Sequence, residues 1–384
     1  MKRKFFITVA LLLALSSVIS SYAQGEVLPI TTGTSQNLTS PITPTISATP
    51  SGGERISMLH GDIYEFASDY EKMKAMNYYD GSNQFAPTPV TISWASEEGA
   101  QYYMLRISRN ADLSDATSYV TFEKEIVLDD LFMGTCYYYQ VVACFADRTV
   151  KSKIFSFETE YVTRTVNIEG MSNTRDMGGY YTADGKYRLR QGLVYRGGET
   201  EPVTEAGRVY FLQTLGIKTD LDLRGVEKSP FGDAVNHVSV SAPYYMGGST
   251  GILAESYKEA LITEVKTFAN PDNYPIYVHC SLGRDRTGTL CFLISALCGI
   301  GEMDLFLDYE ISWFSERGCY GDYSPEHHIT IAFNPLYNYI ATYPVEGDAP
   351  TLADRTEAFM KNYLGITQEE IDTIRSILLE EVIK

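Results

Sequence analysis

Cys280 follows the apolar run Pro275 to His279 and precedes Gly283, Arg286, Thr287 and Gly288, after which an apolar helical stretch reaches Leu297. Read as chemistry, a buried strand delivers a thiol to a tight loop, and a helix starts where the arginine stands. The amides of Ser281, Leu282, Gly283, Arg284, Asp285 and Arg286 can then turn toward one point, where the helix N-terminus adds partial positive charge. Such an oxyanion cradle also favours the thiolate form of Cys280. Arg286 can fold back over the loop and bind two phosphoryl oxygens at once. A cysteine followed six positions later by an arginine arises easily by chance in a chain with 6 cysteines. The preceding strand, His279, Gly283 and the Thr287-Gly288 pair make the combination specific, and it points to nucleophilic attack on a phosphate ester.

Four ordered segments extend the pattern: Asn173-Thr-Arg175-Asp176-Met-Gly178-Gly179, Tyr195-Arg196-Gly197-Gly198, Asp220-Leu-Asp222-Leu-Arg224 and Gly283-Arg-Asp285-Arg286. Together they resemble the motifs of the bacterial atypical tyrosine phosphatase family, within the cysteine-based tyrosine phosphatase superfamily, over nearly all of residues 161 to 384. The resemblance implies a mixed α/β fold with the loop at the end of a central strand, and activity on phosphotyrosine or phosphoinositides. It also implies roles. Cys280 attacks phosphorus in line, Arg286 and the loop amides hold the equatorial oxygens, and Asp222 protonates the leaving oxygen. Asp285 is the rival acid, and Asp222 could instead cap a turn. His279 would orient the loop, Thr287 would stabilise the departing thiolate, and Arg175 with Asp176 would form a structural pair below the pocket. Arg196 and Arg224 could add positive field or serve in ion pairs. The family usually has lysine where this chain has Arg284, which keeps the charge and changes the geometry.

These residues need a scaffold, and from about Tyr161 the pattern alternates helix and strand, as in α/β domains. Gly192 to Tyr195, Ile217 to Leu223 and Pro275 to His279 read as strands. Thr204 to Leu215 reads as a helix stopped by Gly216, Tyr257 to Phe268 as another, and Thr367 opens a capping box for a last helix to about Val382. From 87 to 160, short β segments around Trp94, Tyr103 to Ser108, Ser118 to Phe122, Cys136 to Ala143 and Ile154 to Phe157 suggest an all-β sandwich. It resembles a fibronectin type III domain, and its role is either spacer or contact with another protein or a glycan. Residues 24–86 read as a Ser/Thr/Pro/Gly-rich linker followed by an unassigned stretch, with a helix around Asp62 to Met76.

At the N-terminus, Lys2-Arg3-Lys4, an apolar run to Leu15 and small residues ending at Ala23 have the layout of a signal peptide over 1–23, so an exported, periplasmic or secreted protein is expected. The net charge of −18 disfavours nucleic acid and anionic lipid surfaces as partners, and no later stretch has transmembrane length. If Cys136 and Cys144 share a strand they lie roughly 26 Å apart, too far to bond each other. His327-His328, read as an extended segment, would point to opposite sides, so no metal site is expected there. Thiolate phosphoryl transfer needs no cofactor. The expected activity is that of a phosphomonoesterase acting on a phosphorylated protein or small phosphate ester, foremost phosphotyrosine. The alternatives are a phosphoinositide or inositol phosphate phosphatase, or an idle phosphate-binding or adhesion module.

Overall fold

The computed structural model describes residues 46–68, 78–321 and 324–382; the expected signal peptide lies outside them. Two compact units result. One holds the described part of Met1–Ile56 with Pro89–Leu128 and Thr135–Thr159, and the other holds Ser57–Thr88, Asp129–Gly134 and Glu160–Lys384. No helix among the described residues is long and apolar enough to cross a membrane.

The first unit is all β. Strands β1 (Ala48–Thr49), β3 (Val90–Trp94) and β6 (Glu125–Leu128) make one sheet in the order β1-β3-β6. Strands β2 (Arg55–Ile56), β4 (Tyr102–Ser108), β5 (Thr117–Thr121), β7 (Cys136–Cys144) and β9 (Phe155–Thr159) make another, ordered β2-β9-β7-β4-β5, with β8 (Thr149–Lys151) paired to β7. Val90, Ile92 and Trp94 are buried while Thr91 and Ser93 are less so, the period of two that sets one face of a strand against a core. Residues 46 to about 54, read as linker from their composition, and the start of the unassigned stretch supply β1 and β2. These strands are two residues long and pair with β3 and β9 far along the chain, so no local periodicity announces them.

Part of the stretch left unassigned, Ser57–Thr88, and the segment Asp129–Gly134 belong instead to the second unit. There Gly61–Ser68 forms helix α1, and its Ile63 and Phe66 pack with Phe85, Ile311 and Phe314. The remainder of the helix expected to Met76 lies outside the described residues.

The second unit is built on a five-stranded sheet. Its strands are β10 (Arg175–Asp176), β12 (Val194–Gly197), β13 (Thr219–Asp222), β14 (Asn236–Ser239) and β15 (Ile276–His279), in the order β10-β12-β15-β13-β14. All neighbours are parallel except β10, and β12, β13 and β15 are buried at every position, as strands covered on both faces must be. In register, His279 lies between Gly197 and Asp222, and Asp222 lies beside Ser239. Four strands therefore end together, and the loops beyond them form one rim, where open parallel sheets bind ligands.

Around this sheet lie α2 (Glu205–Val209), α3 (Lys258–Phe268), α4 (Asp285–Leu297), α5 (Glu302–Glu310), α6 (Pro325–His328), α7 (Asn334–Ala341), α8 (Leu352–Asn362) and α9 (Gln368–Leu378). Helix α4 is buried continuously from Thr287 to Leu297, which makes it the hub of the core. The last helix, expected to reach Val382, stops at Leu378. Leu379–Glu381 becomes strand β16 against β11 (Tyr187–Leu189), because this partner and the Arg188–Glu380 ion pair override the helical pattern.

Candidate active site

Cys280 follows β15 directly and is 2% exposed, at the floor of the rim. The loop after it is held by its carbonyls. Ser281 O accepts the Glu199 amide at 3.3 Å, Leu282 O accepts Asn173 Nδ2 at 2.9 Å, and Gly283 O accepts Arg196 Nη2 at 2.8 Å. Gly283 has φ +70°, and a Cβ there would meet the Gly197 carbonyl carbon at 2.3 Å. Only glycine satisfies both demands. The amides of Ser281 to Arg286, by contrast, have no acceptor among the described residues. Unmet donors in a folded loop are costly, and a run of them beside a positive-φ residue is the makeup of an anion nest. Arg286 Nη1 donates to Leu223 O at 3.1 Å and its Nη2 lies 3.4 Å from Ser281 Oγ, so the guanidinium spans the mouth between loop and β13.

Two buried braces lead from the loop to a single carboxylate. Arg196 and Arg175 both ion-pair with Asp308 of α5, the latter at 3.1 Å, and Arg175 also grips Asn173 O at 3.1 Å and its Oδ1 at 2.5 Å. Asn173, at φ 60°, thus passes the constraint to Leu282. Burial pushes the Asp308 carboxyl up, but the charges of Arg196 and Arg175 hold it below the ordinary carboxylate range. The expected pairing of Arg175 with Asp176 does not form. Adjacent strand residues face opposite ways, and Asp176 instead accepts Arg164 Nη1 at 2.7 Å and the amides of Gly178 and Gly192. Burial raises its carboxyl despite Arg164.

Of the two candidate acids, Asp222 is the less available. It is 1% exposed and accepts the Arg224 amide and Nε at 2.9 Å and Nη2 at 2.7 Å, while Arg224 reaches on to Glu201 at 2.7 Å and Glu199 at 3.3 Å. The expected proton donor is therefore a carboxylate folded onto its own motif's arginine. Burial works against the Arg224 charge, yet Asp222 and Glu201 hold its guanidinium above its ordinary range. Asp285 has a side chain 26% exposed, and its Oδ1 accepts Tyr245 OH and Arg284 Nε, both at 2.8 Å. Arg284, expected to serve the phosphate cradle, turns its guanidinium away. It donates to Gly318 O at 2.7 Å and Tyr320 O at 3.1 Å and lies 4.6 Å over the Trp313 ring. Arg284 and Asp285 can thus serve the nest only through their amides.

His279 is fully buried, with Nε2 2.8 Å from Asp220 Oδ1 and Nδ1 3.4 Å from Cys280 O, which fixes the strand end that carries the thiol. Burial raises the Asp220 carboxyl, but the bond to His279 brings it below its ordinary range. Thr287 Oγ1 is buried in the first turn of α4 with no hydrogen-bond partner among the described residues. His327 and His328 belong to helix α6, capped by Ser324, and not to an extended segment. Asn173, Asp220, Tyr245, Asp308, Tyr309 and His328 join the site without having been singled out for it; only the first two lay inside a recognised motif.

Glu264 of α3 is 1% exposed, its Oε1 has no partner among the described residues, and burial holds its carboxyl well above the ordinary 4.5 against a partial offset from Arg286. An acid raised in the folded state binds its proton more tightly there. The contribution is complete below the unfolded value near 4.5 and is lost as pH rises toward the folded one. Glu264→Gln is therefore expected to gain stability over the native chain progressively as pH rises above the unfolded value near 4.5, with the two curves meeting below it. Urea unfolding across that range checks it.

Residues 166–380 match the profile described as the tyrosine phosphatase family. A candidate tyrosine-protein phosphatase of Cupriavidus necator is 30% identical over 166 residues, 36% of this chain and 59% of that protein. One from Dictyostelium discoideum is 38% identical over 52 residues, 14% of this chain and 31% of its own length. The chain thus spans less than two thirds of each of these relatives. Among solved structures, the core catalytic domain of the S. cerevisiae PP-IP phosphatase SIW14 in complex with citrate is similar at 18% identity and TM-score 0.27, over 43% of this chain and 91% of that one. With a family profile covering more than half its length, and a thiol, an anion nest and an arginine gathered on one rim, this chain belongs to the tyrosine phosphatase family.

Proposed function

We propose that this protein is an exported phosphomonoesterase that works through a phosphocysteine on Cys280, with singly phosphorylated esters, phosphotyrosine foremost, as substrates. The observation that carries the reading is the row of amides from Ser281 to Arg286 without acceptors among the described residues, beside Cys280 and under the Arg286 guanidinium. The Cys280 sulfur attacks phosphorus as the bond to the leaving oxygen breaks. The equatorial oxygens take the loop amides and Arg286. Asp285 gives the leaving oxygen its proton, since its side chain is 26% exposed with one close arginine nitrogen, whereas Asp222 is 1% exposed and takes an amide and two nitrogens of Arg224. Water then attacks phosphorus, its proton returns to Asp285, and the S–P bond breaks. Thr287 Oγ1, buried near the helix start, is suited to receive the departing thiolate.

The preference for a monoester over an inositol polyphosphate follows from where the other arginines point. Arg196 is spent on Asp308, Arg224 on Asp222 and Glu201, and Arg284 on carbonyls and Asp285. Intact Cys280 and Arg286 speak against an idle module. Export is supported by the basic, apolar and small-residue sequence of positions 1–23, and a mature N-terminus found at Met1 in the producing cell would refute it. The all-β unit is taken as fibronectin type III-like, supported by its split into β1-β3-β6 and a sheet containing β5-β4-β7-β9; its partner would be another protein or a glycan.

The test is a substrate panel of phosphotyrosine peptide, phosphoserine peptide, phosphoinositide and inositol hexakisphosphate, run beside Asp285→Asn and Asp222→Asn. Hydrolysis of the phosphotyrosine peptide, with Asp285→Asn slower by about 10²-fold or more, is expected. Turnover of inositol compounds alone overturns the substrate assignment. Gly283→Ala should cost turnover at least about 10²-fold, since the nest loses oxyanion donors, and more stability than the about 1–3 kcal/mol of backbone strain alone, since the new Cβ would overlap the Gly197 backbone. Kinetics paired with urea unfolding separates the two effects.

A further inference from the structure

Behind Asp285 lies a closed circuit of buried polar groups that the mechanism above does not use. Asp285 Oδ1 is 2.8 Å from Tyr245 OH, Tyr245 OH is bonded to Tyr309 OH, Tyr309 OH is 2.6 Å from His328 Nδ1, and His328 Nε2 returns to 3.6 Å from Asp285 Oδ1. The members come from the segment after β14, from α5, from α6 and from the first turn of α4. The His328 ring is caged by Tyr245, Tyr309 and Trp313, with centroids 5.7, 6.2 and 5.3 Å away. We propose that Tyr245, Tyr309 and His328 are positioning residues that hold Asp285 in its proton-bearing form, with Tyr245 turning its hydroxyl each time that proton is transferred; this rests on Asp285 being the acid.

The argument is a count of protons. A hydroxyl has one to donate. Burial, with the charges of Arg284 and His327, moves His328 toward the neutral ring against the pull of Asp285. A neutral ring that turns Nε2–H toward Asp285 leaves Nδ1 bare, so Tyr309 must donate to it and Tyr245 must donate to Tyr309. Tyr245 can then only accept from Asp285, which is possible when Asp285 carries a proton. Once that proton has gone to the leaving oxygen, Tyr245 turns its hydroxyl to the carboxylate, His328 keeps its proton on Nε2 toward the same carboxylate with Tyr309 still donating to Nδ1, and the Tyr245–Tyr309 contact is left without a shared proton, so the circuit is complete only in the proton-bearing form. The proton taken from the attacking water restores the first arrangement, so the cycle balances with no added reactant. The charged groups facing the circuit are Arg284, 2.8 Å from Asp285, His327 beside His328, and Arg196, whose charge reaches Tyr309.

Tyr309→Phe and His328→Phe break the circuit at two points, so the loss of one variant to misfolding leaves the other. Rates on aryl phosphates of graded leaving-group acidity, from phenyl to 2,4-dinitrophenyl phosphate, are measured across pH. Either variant is expected to be slower by about tenfold or more on phenyl phosphate and within about threefold on the dinitrophenyl ester, which needs little acid help. The alkaline limb of kcat should move to lower pH by about one unit. Unchanged leaving-group dependence and an unmoved limb in a folded variant overturn the circuit. If Asp285→Asn itself lacks the leaving-group signature, it is the assignment of the acid that fails.

Discussion

Cys280→Ser is expected to reduce phosphate-ester turnover by on the order of 10⁵- to 10⁶-fold, the scale seen when a hydrolase loses its covalent nucleophile. A serine hydroxyl at the same place would need a base to remove its proton. The adjacent imidazole cannot help, since His279 Nε2 is engaged by Asp220 and its Nδ1 faces the carbonyl of residue 280. The nest and Arg286 remain, so the variant should still bind a phosphotyrosine peptide and act as a trap. Steady-state rates and a binding isotherm together give the result, and retained turnover would end the phosphocysteine mechanism.

Asp308→Asn should cost about 3–5 kcal/mol of stability, the penalty for removing one partner of a buried ion pair. The reason is stoichiometric. One carboxylate faces two buried guanidinium groups, Arg175 and Arg196, and asparagine leaves both without it. Because Asp308 is held below its ordinary range when folded, its contribution is present above the unfolded value near 3.8 and fades as pH falls through the folded one. Urea unfolding should therefore show a deficit at pH near 7 that shrinks as the solution is acidified. Equal stability of variant and parent at neutral pH would mean that the cluster does not hold the loop.

Contiguity decided what could be read in advance. Cys280, Gly283 and Arg286 lie within one strand, loop and helix start, so spacing alone carries their geometry. The circuit behind Asp285 joins positions 245, 285, 309 and 328, and no local pattern links them. The engagement of Asp222 was hidden for the opposite reason. The motif names a strand-end acid, but Arg224, two residues on, returns to it, an interaction that a linear reading cannot rank above catalysis. The β segments of the first unit were legible where strands reach five residues or more, as in β3, β4 and β7, and invisible in β1 and β2.

Trp313 is one of only 2 tryptophans, the other being Trp94 in the all-β unit. Its indole lies 4.6 Å beneath the Arg284 guanidinium and 5.3 Å from the His328 ring centroid. An imidazolium quenches indole emission by contact, so with Trp94 replaced by phenylalanine the protein carries its own optical reporter. Emission from that single fluorophore, recorded as the solution is acidified, would report when His328 gains its charge, without any label.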